Sequence, residues 1–204
     1  MENASPLPEG YSELLKIDLQ KDRKSALLVN GLALLIALPM VAVGAVMAPL
    51  STLLDSSAGW LAYAGRWGVL LAGLVAYMLL HELVHGICMK HYSGEKVRYG
   101  FTGLYAYAGS EAYFNKRSYL VIALAPIVVW GVVLLILNFL VPTSWFWCVY
   151  FIQVCNVSGA AGDLYVSCKF SRLPADILIR DTGVSMTVYS RAERDGKESG
   201  NQKS

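Results

Sequence analysis

Two stretches of this 204-residue chain, 26–54 and 119–162, contain no Asp, Glu, Lys or Arg. Each outlasts the roughly 20 apolar residues that cross the hydrocarbon core of a bilayer. A typical soluble domain carries about 25% charged residues. Here the share is 16%, with 55% hydrophobic residues and a mean hydropathy of +0.46. Disorder is excluded, and a water-soluble globule is a poor fit. A net charge of +2 is too small to suggest a nucleic-acid partner. The four cysteines (Cys88, Cys148, Cys155 and Cys168) include no CxxC pair, so they read as free thiols rather than as a disulfide framework or zinc ribbon.

The fold class expected is an α-helical polytopic membrane protein with four transmembrane helices, at about 26–50, 67–89, 119–140 and 144–166, and small cytoplasmic β-hairpins. The last two spans are joined by a tight turn at Val141-Pro142-Thr143, and Pro39 kinks the first. The first span is too long, and its leader too extended, for a cleavable signal peptide. With four spans, sixteen of the seventeen Lys and Arg residues fall on one side, Arg66 being the exception. That side is expected to be the cytoplasm, with both termini inside. The chain then divides into a cytoplasmic leader (1–25), a membrane domain (26–189) and a disordered tail (190–204). Residues 1–10 read as loose, and 11–20 as a segment lying on the membrane surface. Hairpins are expected from 96–101 with 104–108 and from 177–180 with 184–189.

Ionisable side chains inside a bilayer are costly and mark function. Within the four spans the acidic residues are Glu82 and Asp163 alone, and His81 and His85 flank Glu82. His81-Glu82-Leu83-Val84-His85 has the form HExxH. On a helix, residues i and i+4 lie about 40° apart and about 6 Å along the axis. Two imidazoles so placed can share one metal ion. Glu82, about 100° round from His81, is better aimed at a water beside the metal than at the metal itself. This is the geometry of a zinc hydrolase, with Glu82 as general base and later proton donor.

A catalytic zinc site normally takes a third protein ligand. Candidates are Asp163, His91, Glu111, Asp176 and Asp181. Asp163 and His85 lie at similar depth near the cytoplasmic ends of their spans, which favours Asp163. His91 gives the spacing of HExxHxxGxxH, but Cys88 stands where that motif has its turning Gly, and a continuing helix carries His91 about 120° away from His85. Asn156 shares a helix face with Asp163, with Gly159 and Ala160 between them. It is a candidate for binding substrate or a developing oxyanion, with plain helix packing as the other reading. The hairpin after the HExxH helix could pair with an extended substrate or be an ordinary exposed hairpin.

These motifs resemble those of intramembrane zinc metalloproteases of the site-2 protease type. The resemblance rests on His81 to Gly86, on Ala123-Leu124-Ala125-Pro126 and on Asn156 through Asp163. The last segment reads NVSGAAGDLY, without the proline and the Leu-Asp-Gly core usual there. More closely, the chain resembles a bacterial family of zincin-type peptidases, through Pro8-Glu9-Gly10-Tyr11, HExxH followed by Gly, a span opening near Ala-Pro, and Gly162-Asp163. That similarity runs from about Pro8 to Tyr189. It implies peptidase activity with Zn2+ as cofactor. The expectation is a membrane-embedded zinc metalloendopeptidase in which His81, His85 and Asp163 hold the metal. Its substrate would be a membrane-protein segment or peptide near the cytoplasmic face. The alternatives are a surface-acting zinc peptidase that trims soluble or lipidated protein ends, and a non-catalytic metal-binding accessory protein.

Overall fold

The computed structural model describes residues 3–4, 6–18, 21–103 and 105–191. Three of its helices are long and apolar enough to cross a membrane: α1 (Arg23–Met47), α3 (Trp60–Ser93) and α4 (Lys116–Leu140). At 1.5 Å per residue even the 25-residue helices exceed the roughly 30 Å hydrocarbon thickness. Their outward faces are apolar, with Val46 89% and Leu61 85% exposed. Water would penalise such a surface and lipid would not.

The ends of these helices follow from local chemistry. Asp22 caps α1, its carboxylate accepting the Lys24 N–H at 3.0 Å. Asn115 caps α4 in the same way through the Ser118 N–H. Helix α3 stops at Gly94, whose left-handed φ of 71° lets its N–H return to the Lys90 carbonyl at 2.8 Å. A short helix α2 (Ser51–Leu54) lies between α1 and α3.

Two span boundaries differ from expectation. Helix α3 begins at Trp60, so Arg66 sits within the helix and is buried rather than lying in a loop. The apolar run from Trp60 to Ala64 continues the helical pattern back to Gly59. The stretch expected as one helix over 144–166 is a 3-10 turn (Thr143–Trp145) followed by α5 (Phe146–Gly159) and α6 (Ala161–Ser171). The chain breaks at Ala160, at φ −82° and ψ 17°. Gly159 and Gly162, on either side of the break, are weak helix formers. The break puts Asp163 in the first turn of α6, where the helix dipole favours a carboxylate.

Two small antiparallel sheets sit at one end of the helices. Strands β2 (Val97–Phe101) and β3 (Ala106–Ser110) form the first expected hairpin. Strands β5 (Leu178–Asp181) and β6 (Met186–Arg191) form the second. A four-stranded sheet is completed by β4 (Tyr113–Asn115) and β1 (Tyr11–Ile17), in the order β1-β6-β5-β4. The leader is therefore a strand, running from Tyr11 opposite Arg191 to Ile17 opposite Met186, rather than a segment lying on the membrane. The residues before it are tied down too. Ala4 exchanges backbone hydrogen bonds with Tyr113 at 2.9 Å, and Asn3 bonds both the Tyr92 carbonyl and Asn115. Apart from its first two residues, the expected disordered tail lies outside the described residues.

The sheet is fastened to the helix ends by a core containing Phe114, Phe170, Ile177, Ile179 and Val188 with Met89, Tyr119 and Ile122. A second core around Trp147 and Tyr150 joins α5 to α1 and α3. The turn between β5 and β6 lies directly on β3. A Cβ on Gly109 would stand 2.2 Å from the carbonyl group of Thr182, which is backbone and cannot swing aside. Gly109→Ala is therefore expected to lift that turn and to lower stability by about 1–3 kcal/mol. Thermal unfolding of the purified variant checks this, and an unchanged midpoint would show that the turn does not need the contact.

Candidate metal centre

On α3, His81 and His85 stack one turn apart, both buried, with Nε2 atoms 3.2 Å from each other. Asp163, from the start of α6, meets them with Oδ2 at 3.4 Å from His81 Nε2 and Oδ1 at 3.6 Å from His85 Nε2. Asp163 thus offers one oxygen to each imidazole, and the three side chains form a triangle. A tetrahedral ion with bonds of 2.0–2.1 Å separates its ligand atoms by about 3.3 Å. Two imidazoles and a carboxylate are also a donor set that suits zinc. Spacing and chemistry both fit a zinc ion with a fourth position left open. Among the described residues this is the group of His, Cys, Asp and Glu that converges in this way.

The hydrogen bonds behind the ligands fix which nitrogen faces the centre. The Ile122 carbonyl, on α4, can only accept, so His85 Nδ1 carries the proton in their 2.9 Å bond. Nε2 is left with its lone pair. The other imidazole is set by a longer relay. The Ile127 carbonyl accepts the Asn156 amide N–H at 3.1 Å, which turns Asn156 Oδ1 toward the Tyr77 hydroxyl. Tyr77 donates to that oxygen at 3.1 Å and so accepts from His81 Nδ1, 2.9 Å away. Both relays end on backbone carbonyls of α4. Partners of this kind commonly orient metal-bound histidines.

Glu82 and all three donors line one cavity of about 500 Å3, whose walls include Val29, Met78, Tyr105 and Val184. Glu82 Oε2 accepts the Ala108 N–H of β3 at 2.8 Å. The Ala108 N–H of β3 is thus already taken, and among the described residues the β2–β3 hairpin pairs with no third strand.

The other sequence candidates lie elsewhere. His91 is exposed and packs its ring on Tyr92. Glu111 pairs with Arg180 and, at 3.6 Å, with Arg98. Asp176 is exposed. Asp181 lines the cavity, but its oxygens accept the Tyr119 hydroxyl at 2.7 Å and the Gly183 N–H at 2.8 Å. Burial pushes its carboxyl above the ordinary range. Asn156 is fully buried, with both ends of its amide held in the Tyr77 relay.

Tyr77 and the Ile122 carbonyl are the features of this site that motif reasoning passes over. Tyr77 had one available cue, its place one turn before His81 on the same helix face.

The model of a family described as "putative zincin peptidase" matches residues 74–178, a little over half of the chain. The matched segment spans Tyr77, the HExxH helix, α4 and Asp163. No curated protein and no solved structure matches the chain.

Proposed function

The chain belongs to this zincin peptidase family, and from that premise we propose that it is a membrane-embedded zinc metalloendopeptidase. It cleaves membrane-protein segments close to the cytoplasmic face. The observation that carries the proposal is the His81, His85 and Asp163 triangle, with Glu82 on the wall of the same cavity. A structural zinc site is normally closed by four protein ligands. Three donors beside a carboxylate that faces the cavity favour catalysis over a metal-holding scaffold.

In this proposal α5 and α6 together make the fourth crossing. Among the described residues, thirteen of the fourteen Lys and Arg then fall on the sheet side, which this proposal takes as the cytoplasmic side. The metal centre lies toward that side, because His85 is two turns before the end of α3 and Asp163 lines one cavity with Asp181 and Met186 of the sheet. Water can reach this depth without crossing the hydrocarbon core.

When bound, zinc supplies Lewis-acid polarisation and a water of lowered pKa. The chain's residues do the rest. Glu82 keeps Oε2 on the Ala108 N–H and offers Oε1 to the attacking water's proton. It then returns that proton to the leaving amine. His81 and His85 are held with Nε2 inward by Tyr77 and Ile122, so they need no reorientation during the reaction. The apolar walls of the cavity accept an apolar peptide and keep bulk water from the polar centre.

The test is terminal-peptide mass spectrometry on membranes that contain the protein, with and without a zinc chelator. New termini inside or at the edge of apolar segments, lost on chelation and regained with zinc, are the expected outcome. Termini confined to soluble or lipidated ends would select the surface-trimming reading, and none in either condition would count against peptidase activity.

A further inference from the structure

Helix α4 carries Pro126, buried, in its interior. In a regular helix the N–H of residue 126 bonds the carbonyl of residue 122. Proline has no N–H, so the Ile122 carbonyl loses its intrahelical donor. A buried carbonyl without a donor is costly, and here the partner is His85 Nδ1 at 2.9 Å. We infer that Pro126 is a positioning residue of the metal centre, freeing the Ile122 carbonyl so that it fixes the tautomer and aim of His85. The inference rests on the zinc peptidase reading and adds to it a residue that never touches the metal.

The alternative account is that Pro126 merely bends a membrane helix. The position argues against it. Of the residues along α4, the proline stands four beyond the one whose carbonyl faces His85. The chain also provides its own control, Pro39 in α1. The carbonyl freed there is that of Leu35, whose side chain is 70% exposed on the lipid-facing side. Bending a helix and orienting a ligand are therefore separable in one protein.

In Pro126→Ala the restored N–H competes with His85 for the Ile122 carbonyl. Loss of an outer partner of a metal-bound histidine typically costs 10–100-fold in metal affinity. The experiment measures zinc affinity by competition with a chromophoric chelator, using the full-length protein in nanodiscs. The visible spectrum of the cobalt-substituted protein is recorded alongside. Wild type is expected to bind zinc, Pro126→Ala to bind about 10–100-fold more weakly with an altered cobalt spectrum, and Pro39→Ala to match wild type. Nitrogen NMR of metal-free wild type, labelled at histidine, is expected to find His85 protonated at Nδ1, and this measurement stands even if Pro126→Ala fails to fold. Equal zinc affinity in Pro126→Ala, an equal loss in Pro39→Ala, or a His85 with no proton on Nδ1 would each overturn the inference while leaving the zinc reading intact. A wild type that binds no zinc would instead overturn the zinc reading and, with it, this inference.

Discussion

Glu82→Gln is expected to reduce peptide-bond cleavage by about 10³-fold, within the range that general acid–base groups contribute, while the zinc content of the purified protein stays at the wild-type level. The substitution is nearly isosteric. The side-chain amide oxygen of the variant can still accept the Ala108 N–H that Glu82 Oε2 accepts now, so the contact between α3 and β3 survives. The triangle of His81, His85 and Asp163 does not include this side chain, so the metal keeps its donors. An amide has no basicity at neutral pH and cannot take the proton of the attacking water. Metal analysis together with terminal mapping separates these effects. Wild-type cleavage by Glu82→Gln would remove the catalytic role, and loss of zinc would show that the carboxylate belongs to the metal's own ligand set.

Much of the site could be read from residue types, and the reasons are physical. Charge is so costly in a bilayer that Glu82 and Asp163 stand out against long uncharged stretches. Helical geometry makes the i, i+4 spacing of His81 and His85 a statement about shared direction. Hydropathy located α1, α3 and α4 for the same reason, since a spanning helix must match the membrane thickness. Other features depend on partners far along the chain. Strand β1 exists because β6, some 170 residues later, offers it an edge, and the weak pattern of Tyr11–Ile17 does not announce that pairing. The break at Ala160 is equally quiet. A Gly-Ala-Ala-Gly run reads as a packing stripe in a continuous helix until α6 is seen to start there. Backbone groups are the hardest case. The Ile122 carbonyl that holds His85 has no signature in the identity of residue 122, and only the proline four residues later hints at it. The Tyr77 relay needs three helices to assemble, so Asn156 could be placed on the face of Asp163 but not assigned its partners.

Asp163→Ala is the sharper test of how the centre is built, because it removes one of three donors and leaves both histidines in place. Asp163 is the carboxylate of the triangle and its only donor from outside α3. Its removal leaves two imidazoles on one helix, and zinc affinity is expected to drop by more than the 10–100-fold typical of losing an outer partner. A ligand that binds only the folded state raises stability by about 2.7 kcal/mol at 100 times its dissociation constant. Wild type should therefore show a clear rise in unfolding temperature when zinc is added, and Asp163→Ala should show none at the same concentration. The comparison does not depend on knowing the substrate. His91→Ala, altered at an exposed position away from the triangle, should keep the full rise. An undiminished zinc-dependent shift in Asp163→Ala would take the carboxylate out of the site. Loss of the shift in His91→Ala would bring that histidine in.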